Sequence, residues 1–229
     1  GKDMYVGTVM RTELVTVPPE TTLLAAQDTL EKKQINHLLV VDAEGELIGI
    51  VSDRDLKKSW ASSATTLSKN ELIYLLDQVT VASIMAKNTM TIAPGTTIER
   101  AALLMNQNRI NALPVLEGDD LVGIITSSDV ITILLEAIRT EKDSARLTVL
   151  VKDRVGVISD ISQTLREKGI NIRSLFTWPE KGHPGVYYLV VRVPAADCQK
   201  ATLSGEGPGF KILSHYVIDL HPYLPGSGN

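Results

Sequence analysis

Gly49-Ile50-Val51-Ser52-Asp53-Arg54-Asp55 returns as Gly123-Ile124-Ile125-Thr126-Ser127-Ser128-Asp129. In both, a glycine is followed three residues on by Ser or Thr, and three further on by Asp. The likeness spreads outward. Val6 to Asp42 aligns with Val81 to Glu117 at a constant offset of 75 residues. Met10 falls on Met85, Thr16 on Thr91, Pro19 on Pro94, Thr21-Thr22 on Thr96-Thr97 and Ile35-Asn36 on Ile110-Asn111. One residue is lost in a turn, after which the offset is 74 and Leu47-Ile48-Gly49-Ile50 falls on Leu121-Val122-Gly123-Ile124. Two copies of this length are not the short, numerous units of a solenoid. They read as two related small domains packed together.

Both copies have the same local grammar. Val15-Thr16-Val17 is a short β-like run ended by Pro18-Pro19, where a ladder donor is missing. Thr21 or Thr22 can cap the next helix, and in the second copy Thr96 with Glu99 has capping-box spacing. Leu23, Ala26 and Leu30 recur at helical spacing, as do Ile98, Ala101 and Met105. His37 to Val41 and Leu47 to Val51 then read as a hairpin, with a helix after Asp55 and another after Asp129. The unit is β-α-β-β-α. Between the copies, Ser59 to Thr66 reads as a loop, and Ser68 with Glu71 opens a helix through Leu76.

Composition narrows the function classes. Among 229 residues, 27 acidic against 23 basic side chains give a formal charge of −4. With no basic segment, a nucleic-acid binder is not expected. No apolar run reaches the roughly 18 residues that span a bilayer, and the N-terminus has no basic segment followed by an apolar core. The expectation is a cytoplasmic protein without membrane contact. The single cysteine, Cys198, permits neither an intrachain disulfide nor a Cys-based zinc site. His37, His183, His215 and His221 fall in no H-E-x-x-H frame, and there is no phosphate-binding P-loop or G-x-S-x-G elbow. No catalytic set, metal site or cofactor is expected.

Thr16-Val17-Pro18, Ile35-Asn36-His37-Leu38-Leu39-Val40 and the seven residues to Asp55, with their counterparts through Ile110-Asn111-Ala112-Leu113-Pro114-Val115 and Asp129, resemble the tandem CBS domain pair, or Bateman module. The resemblance covers about residues 5 to 138 and divides into repeats at 5–66 and 67–138. It implies a cleft for adenosine-containing ligands: AMP, ADP, ATP or S-adenosylmethionine. A carboxylate at a strand-to-helix turn suits vicinal ribose hydroxyls, which gives that role to Asp55 and Asp129. Ser52 and Thr126 sit near helix N-termini that suit a phosphate. Arg54, Lys57 and Lys58 offer charge only at the first copy, although lysines there also read as a solvated helix face. By position, the resemblance gives adenine to Asn36, His37 and Leu38 and to Asn111, Ala112 and Leu113, with Thr16 and Thr91 at the cleft wall. The bland alternative is that both aspartates only cap helices.

The C-terminal third is different. After a polar linker at 139–145, strands are expected at Leu147–Val151, Ile170–Thr177, Val186–Val193 and Phe210–Leu220. Helices follow Gly156 and Pro194. The order β-α-β-β-α-β is ferredoxin-like, so the whole chain is α+β. Asp153-Arg154-Val155-Gly156-Val157-Ile158 and Gly169-Ile170-Asn171-Ile172 make residues 146–222 resemble an ACT domain. That family implies an amino acid held between two copies near the first loop, which assigns Asp153, Arg154, Gly156, Val157, Ile158, Asn171 and Ile172. One such domain per chain requires a second chain, hence a homodimer. Otherwise, Asp153 caps the helix and the domain merely pairs. The order CBS, CBS, ACT resembles the acetoin-utilisation type B family and implies a sensor that regulates an unknown partner protein.

Overall fold

The computed structural model describes residues 4–63, 68–215 and 217–224. The chain divides into two compact units at Ile131/Thr132. In the first unit, a short helix α1 (Val6–Val9) precedes β1 (Thr16–Val17), α2 (Leu23–Lys33), β2 (His37–Val41), β3 (Leu47–Ser52) and α3 (Asp53–Ser63). Then follow α4 (Lys69–Gln78), a 3-10 turn (Val81–Ser83), α5 (Ile98–Asn108), β4 (Ala112–Glu117), β5 (Asp120–Thr126) and the start of α6 (Ser127–Ala137), the helix in which the boundary falls. The expected loop at Ser59–Thr66 is corrected: helix continues through Ser63, and residues 64–66 lie outside the described part. Ser68 and Glu71 form both halves of the expected capping box.

The first repeat is a three-stranded sheet, β1-β2-β3, with β1 parallel to β2. Leu23, Ala26 and Leu30 of α2 bury their stripe against Leu38, Val40 and Val51. In the second repeat only the β4-β5 hairpin remains, and the expected first strand shrinks to one parallel bridge, Ile92 with Val115. Proline explains the loss. Leu39 N–H donates to Val15 O in the first repeat, and the matching residue, Pro114, has no N–H to donate.

The caps differ from the expected capping box too. Thr22 and Thr97 accept from the backbone N–H of Ala25 and Arg100. Thr96 and Glu99 form no box, because the Thr96 carbonyl accepts Val6 N–H at 2.8 Å, just as the Thr21 carbonyl accepts Val81 N–H at 2.8 Å. The cap is therefore Thr22, one of the two expected residues, in the first repeat, and moves one residue onward to Thr97 in the second.

Those two bonds belong to a reciprocal exchange. Residues 4–11 pair with the second repeat: Gly7 N–H reaches Pro94 O, Ile98 N–H reaches Met4 O, and Arg11 and Ile124 exchange N–H···O bonds at 3.0 Å each. Residues 79–86 pair with the first: Ala82 N–H reaches Pro19 O, Leu23 N–H reaches Val79 O, and Ala86 and Ile50 exchange bonds at 2.9 and 3.2 Å. Each partner sits at the repeat offset from its counterpart. The motif glycine serves this crossing. A Cβ on Gly123 would lie 2.3 Å from Met10 Sδ, and one on Gly49 would lie 2.6 Å from Met85 Sδ. Between the repeats, Leu39, Ala112 and Ile124 form a shared apolar cluster.

In the second unit, β6 (Ser144–Lys152), α7 (Val157–Glu167), β7 (Ser174–Pro179), β8 (Val186–Pro194), α8 (Cys198–Thr202), a two-residue β9 (Glu206–Gly207) and β10 (Phe210–Leu213) form the ferredoxin-like order. The sheet runs β7-β8-β6-β10-β9 and every pair is antiparallel. Val157, Ile161 and Leu165 of α7 pack on Leu147, Val149, Val151 and Val191. Three expected bounds are corrected. Ser144 and Ala145 belong to β6 rather than to a linker, pairing with Pro194 and Val193. Ile170 turns into the core, its N–H closing on Leu165 O, so β7 starts only at Ser174. The last strand stops at Leu213, because Leu220 folds back to bury against Leu150 and Leu213 on the other sheet face.

Candidate functional site

Each Gly-x-x-(Ser/Thr)-x-x-Asp stretch folds into a capping box at a strand-to-helix turn. In the first repeat, Ser52 N–H and Ser52 Oγ–H donate to Asp55 Oδ2 at 2.8 and 2.6 Å, and Asp55 N–H donates back to Ser52 Oγ at 3.2 Å. In the second, Thr126 N–H and Oγ1–H reach Asp129 Oδ2 at 2.9 and 2.7 Å, with Asp129 N–H returning to Thr126 Oγ1 at 3.3 Å. The turn is braced from the preceding strand: Asp53 N–H donates to Asn36 O, and Ser127 N–H to Asn111 O. The capping reading is therefore present in the structure. It also uses the Ser52 and Thr126 hydroxyls expected to meet a phosphate, together with the Asp55 and Asp129 N–H groups of the first helical turns.

The box engages only one oxygen of each carboxylate, and the repeats diverge at the other. Asp55 Oδ1 carries no hydrogen bond among the described residues. Asp129 Oδ1 accepts from Arg11 Nε at 3.2 Å and Nη2 at 2.8 Å. Arg11 is not among the residues that the sequence motifs point to. The signal for it was the repeat alignment itself, which sets Arg11 against Ala86. Burial pushes the Asp129 carboxyl up, but hydrogen bonds from Thr126 and Arg11, with the Arg11 charge, outweigh it and hold the group below the usual carboxylate range.

Beside Asp55 stands His37, which pairs with Ser52 across the hairpin. The imidazole is half-buried, and loss of water lowers its pKa while the nearby Asp55 charge opposes that shift. The matching residue is Ala112, opposite Thr126. So His37, Ser52 and Asp55 are gathered at one sheet end, as are Ala112, Thr126 and Asp129, with exposed Asn36 and Asn111 beside them. The Leu38 and Leu113 side chains are 0% exposed in the core, which leaves only the backbone groups of these two positions for the adenine contact that the resemblance implies. Arg54 and Thr16 are exposed and Thr91 is half-buried. Lys57 pairs with Asp53 at 2.6 Å on the helix surface, the solvated-face alternative. A cavity of about 610 Å³ between the repeats includes Thr91, with Leu47, Met85, Lys87 and Asn88, but none of the other assigned residues.

In the second unit, the α7 N-cap is Gly156 at φ +87°, with no side-chain cap, so Asp153 does not cap it. Asp153 instead donates its N–H to Gly185 O. Arg154 bonds the Asp160 carboxylate and the Pro208 carbonyl, tying the first loop to the β9-β10 turn. Val155 is 98% exposed and Ile158 41%. Val157 and Ile172 face the core instead, and Asn171 is exposed ahead of β7 rather than within it. A second cavity of about 550 Å³, lined by Arg146, Trp178, Tyr188 and His215, lies on the opposite sheet face and includes no assigned residue. Among the described residues, no cluster of His, Cys, Asp and Glu could hold a metal, and no helix is long and apolar enough to cross a membrane.

Two internally exchanged β-α-β-β-α repeats with boxed acids, followed by a ferredoxin-like domain, define a CBS pair joined to an ACT domain. The CBS domain model matches residues 6–62 and 81–136, and the ACT domain model matches 145–197. The chain belongs to the CBS-domain family. It is 34% identical over 131 residues to a CBS domain-containing protein of Dictyostelium discoideum, covering 57% of this chain and 90% of that protein. A solved CBS-domain protein from Agrobacterium tumefaciens is 28% identical, with a TM-score of 0.51, over 58% of this chain and 94% of that one. A Vibrio cholerae structure assigned to acetoin utilization (AcuB) is 33% identical, with a TM-score of 0.49, over 60% of this chain and 97% of that one.

Proposed function

We propose that this protein is a non-catalytic regulatory sensor whose CBS pair binds an adenosine-containing ligand, AMP, ADP, ATP or S-adenosylmethionine. The observation that carries the reading is the unengaged Asp55 Oδ1 at a turn whose other carboxylate oxygen is already fixed. A half-satisfied, oriented carboxylate can accept both hydroxyls of a ribose without disturbing the cap. His37, at the edge of the same turn, offers a ring face or nitrogen to the base. An amino acid or similar small molecule at the ACT loop, shared between two chains of a homodimer, completes the proposal. Exposed Val155 and Ile158 beside the uncapped α7 N-terminus support it. Occupancy then changes assembly or shape and so controls a partner protein.

The test is calorimetry and thermal unfolding against AMP, ADP, ATP, S-adenosylmethionine and amino acids. A ligand at one hundred times its Kd adds about 2.7 kcal/mol to stability. Asp55→Asn keeps an acceptor for the Ser52 N–H but loses the charge, so it should weaken nucleotide binding at least tenfold while the chain stays folded. The second reading, a ligand-independent homodimeric scaffold, is favoured by the caps that already employ both acids. No stabilisation by any nucleotide would select it and reject the sensor.

A further inference from the structure

The two acids are unequal because of one residue delivered from outside the second repeat. Asp129 accepts four hydrogen bonds, two per oxygen. That fills the roughly four lone-pair sites of a carboxylate. A vicinal diol cannot add its two donors while the guanidinium stays. Arg11 is held in place by its backbone, whose N–H and C=O both pair with Ile124. Its side chain is 53% exposed, whereas that of Asp129 is 16% exposed, so the arginine is the partner with room to move. In the first repeat the same backbone pairing is made by Ala86, which brings no charge.

We propose that Arg11 sets ligand choice in the second repeat, making it select adenosine ligands that carry a 5′-phosphate over uncharged adenosine. This rests on the nucleotide-sensor reading above. Adenosine must displace the guanidinium from Asp129 and gives it no new partner. An adenosine phosphate displaces it as well, and then offers an anion to which the fork of N–H donors can bond in a bidentate manner. The first repeat, with Ala86 at this position, lacks this arginine.

The experiment is calorimetry of adenosine and AMP in an Asp55→Asn background, with and without Arg11→Ala. Ala86 shows that alanine is compatible with this backbone pairing. With Arg11 present, AMP should bind at least tenfold more tightly than adenosine. In Arg11→Ala, adenosine should tighten and AMP weaken, so that their ratio falls about tenfold. Binding of both ligands with an unchanged ratio overturns the role of Arg11 and leaves the sensor reading intact. Binding of neither in this background while the wild-type chain still binds overturns the role of Arg11 alone, and binding of neither in the wild-type chain overturns both. An independent readout is the titration of the Asp129 side-chain carbon followed by NMR in ligand-free protein. Arg11→Ala should raise its midpoint, and an unmoved midpoint rules out the pairing in solution.

Discussion

Asp55 and Asp129 sit in the same capping box, on the same hairpin end, above the same crossing of a methionine over a glycine. What stands beside them differs: a half-buried histidine and an open oxygen in the first repeat, an alanine and an arginine in the second. Duplication has kept the parts that hold the backbone and altered what stands beside them. The lesson is that the signature residues serve the fold first. The Ser/Thr and Asp side chains would be needed in an empty repeat, so under the proposed sensor reading ligand choice falls to neighbours outside the motif.

This equivalence can be broken most forcefully in the cores. Leu38→Ala and Leu113→Ala should each cost about 2–5 kcal/mol, and by similar amounts, since both are fully buried. Urea unfolding with an unchanged m-value checks this, and a cheap Leu113→Ala would show that the second core is looser. The crossing is the next lever. Gly49→Ala and Gly123→Ala should cost about 1–3 kcal/mol each. Gly49 should be the worse of the two, because its new Cβ also meets the Ala86 carbonyl at 3.0 Å, while at Gly123 only the flexible Met10 side chain must shift. An equal loss would mean that Met85 yields as easily as Met10.

Smaller effects sharpen the contrast at the acids. Ser52→Ala and Thr126→Ala remove caps that are worth about 0.5–2 kcal/mol. The first should lie at the upper end, since Asp129 keeps Arg11 and Asp55 has no such substitute; chemical denaturation of the two variants side by side decides it. The smallest effect is a pH slope. Because the folded pKa of His37 is lowered, the unfolded chain takes up that proton first as pH falls. The contribution is complete above about pH 6.5 and declines below it, toward the folded value. His37→Ala, which copies Ala112, should flatten the decline of unfolding free energy on acidification, and an unaltered slope would place the titration elsewhere.

Much of this was legible in the residues. The α2 and α5 stripes, both hairpins and the α7 stripe follow from periodicity and turn chemistry, because each buries its own face. The missing strand near Ile92 was legible in principle, since Pro114 occupies a ladder position. The exchange of residues 4–11 and 79–86 was not, because an internal alignment says which residues are equivalent and not which copy they touch. For the same reason Arg11 was invisible as a site residue: its partner lies 118 positions away. Thr97 replaced Thr96 as a cap through that same long-range pairing.

The crossing makes each half of the pair the custodian of the other. Trimming the chain at its beginning would injure not the repeat it adjoins but the later one, exposing Gly123, Ile124 and the Pro94 carbonyl where Met10, Arg11 and Gly7 had lain. Neither repeat could then be cut out and studied as a faithful miniature, and any boundary drawn by sequence likeness alone would sever the stitches that close its neighbour.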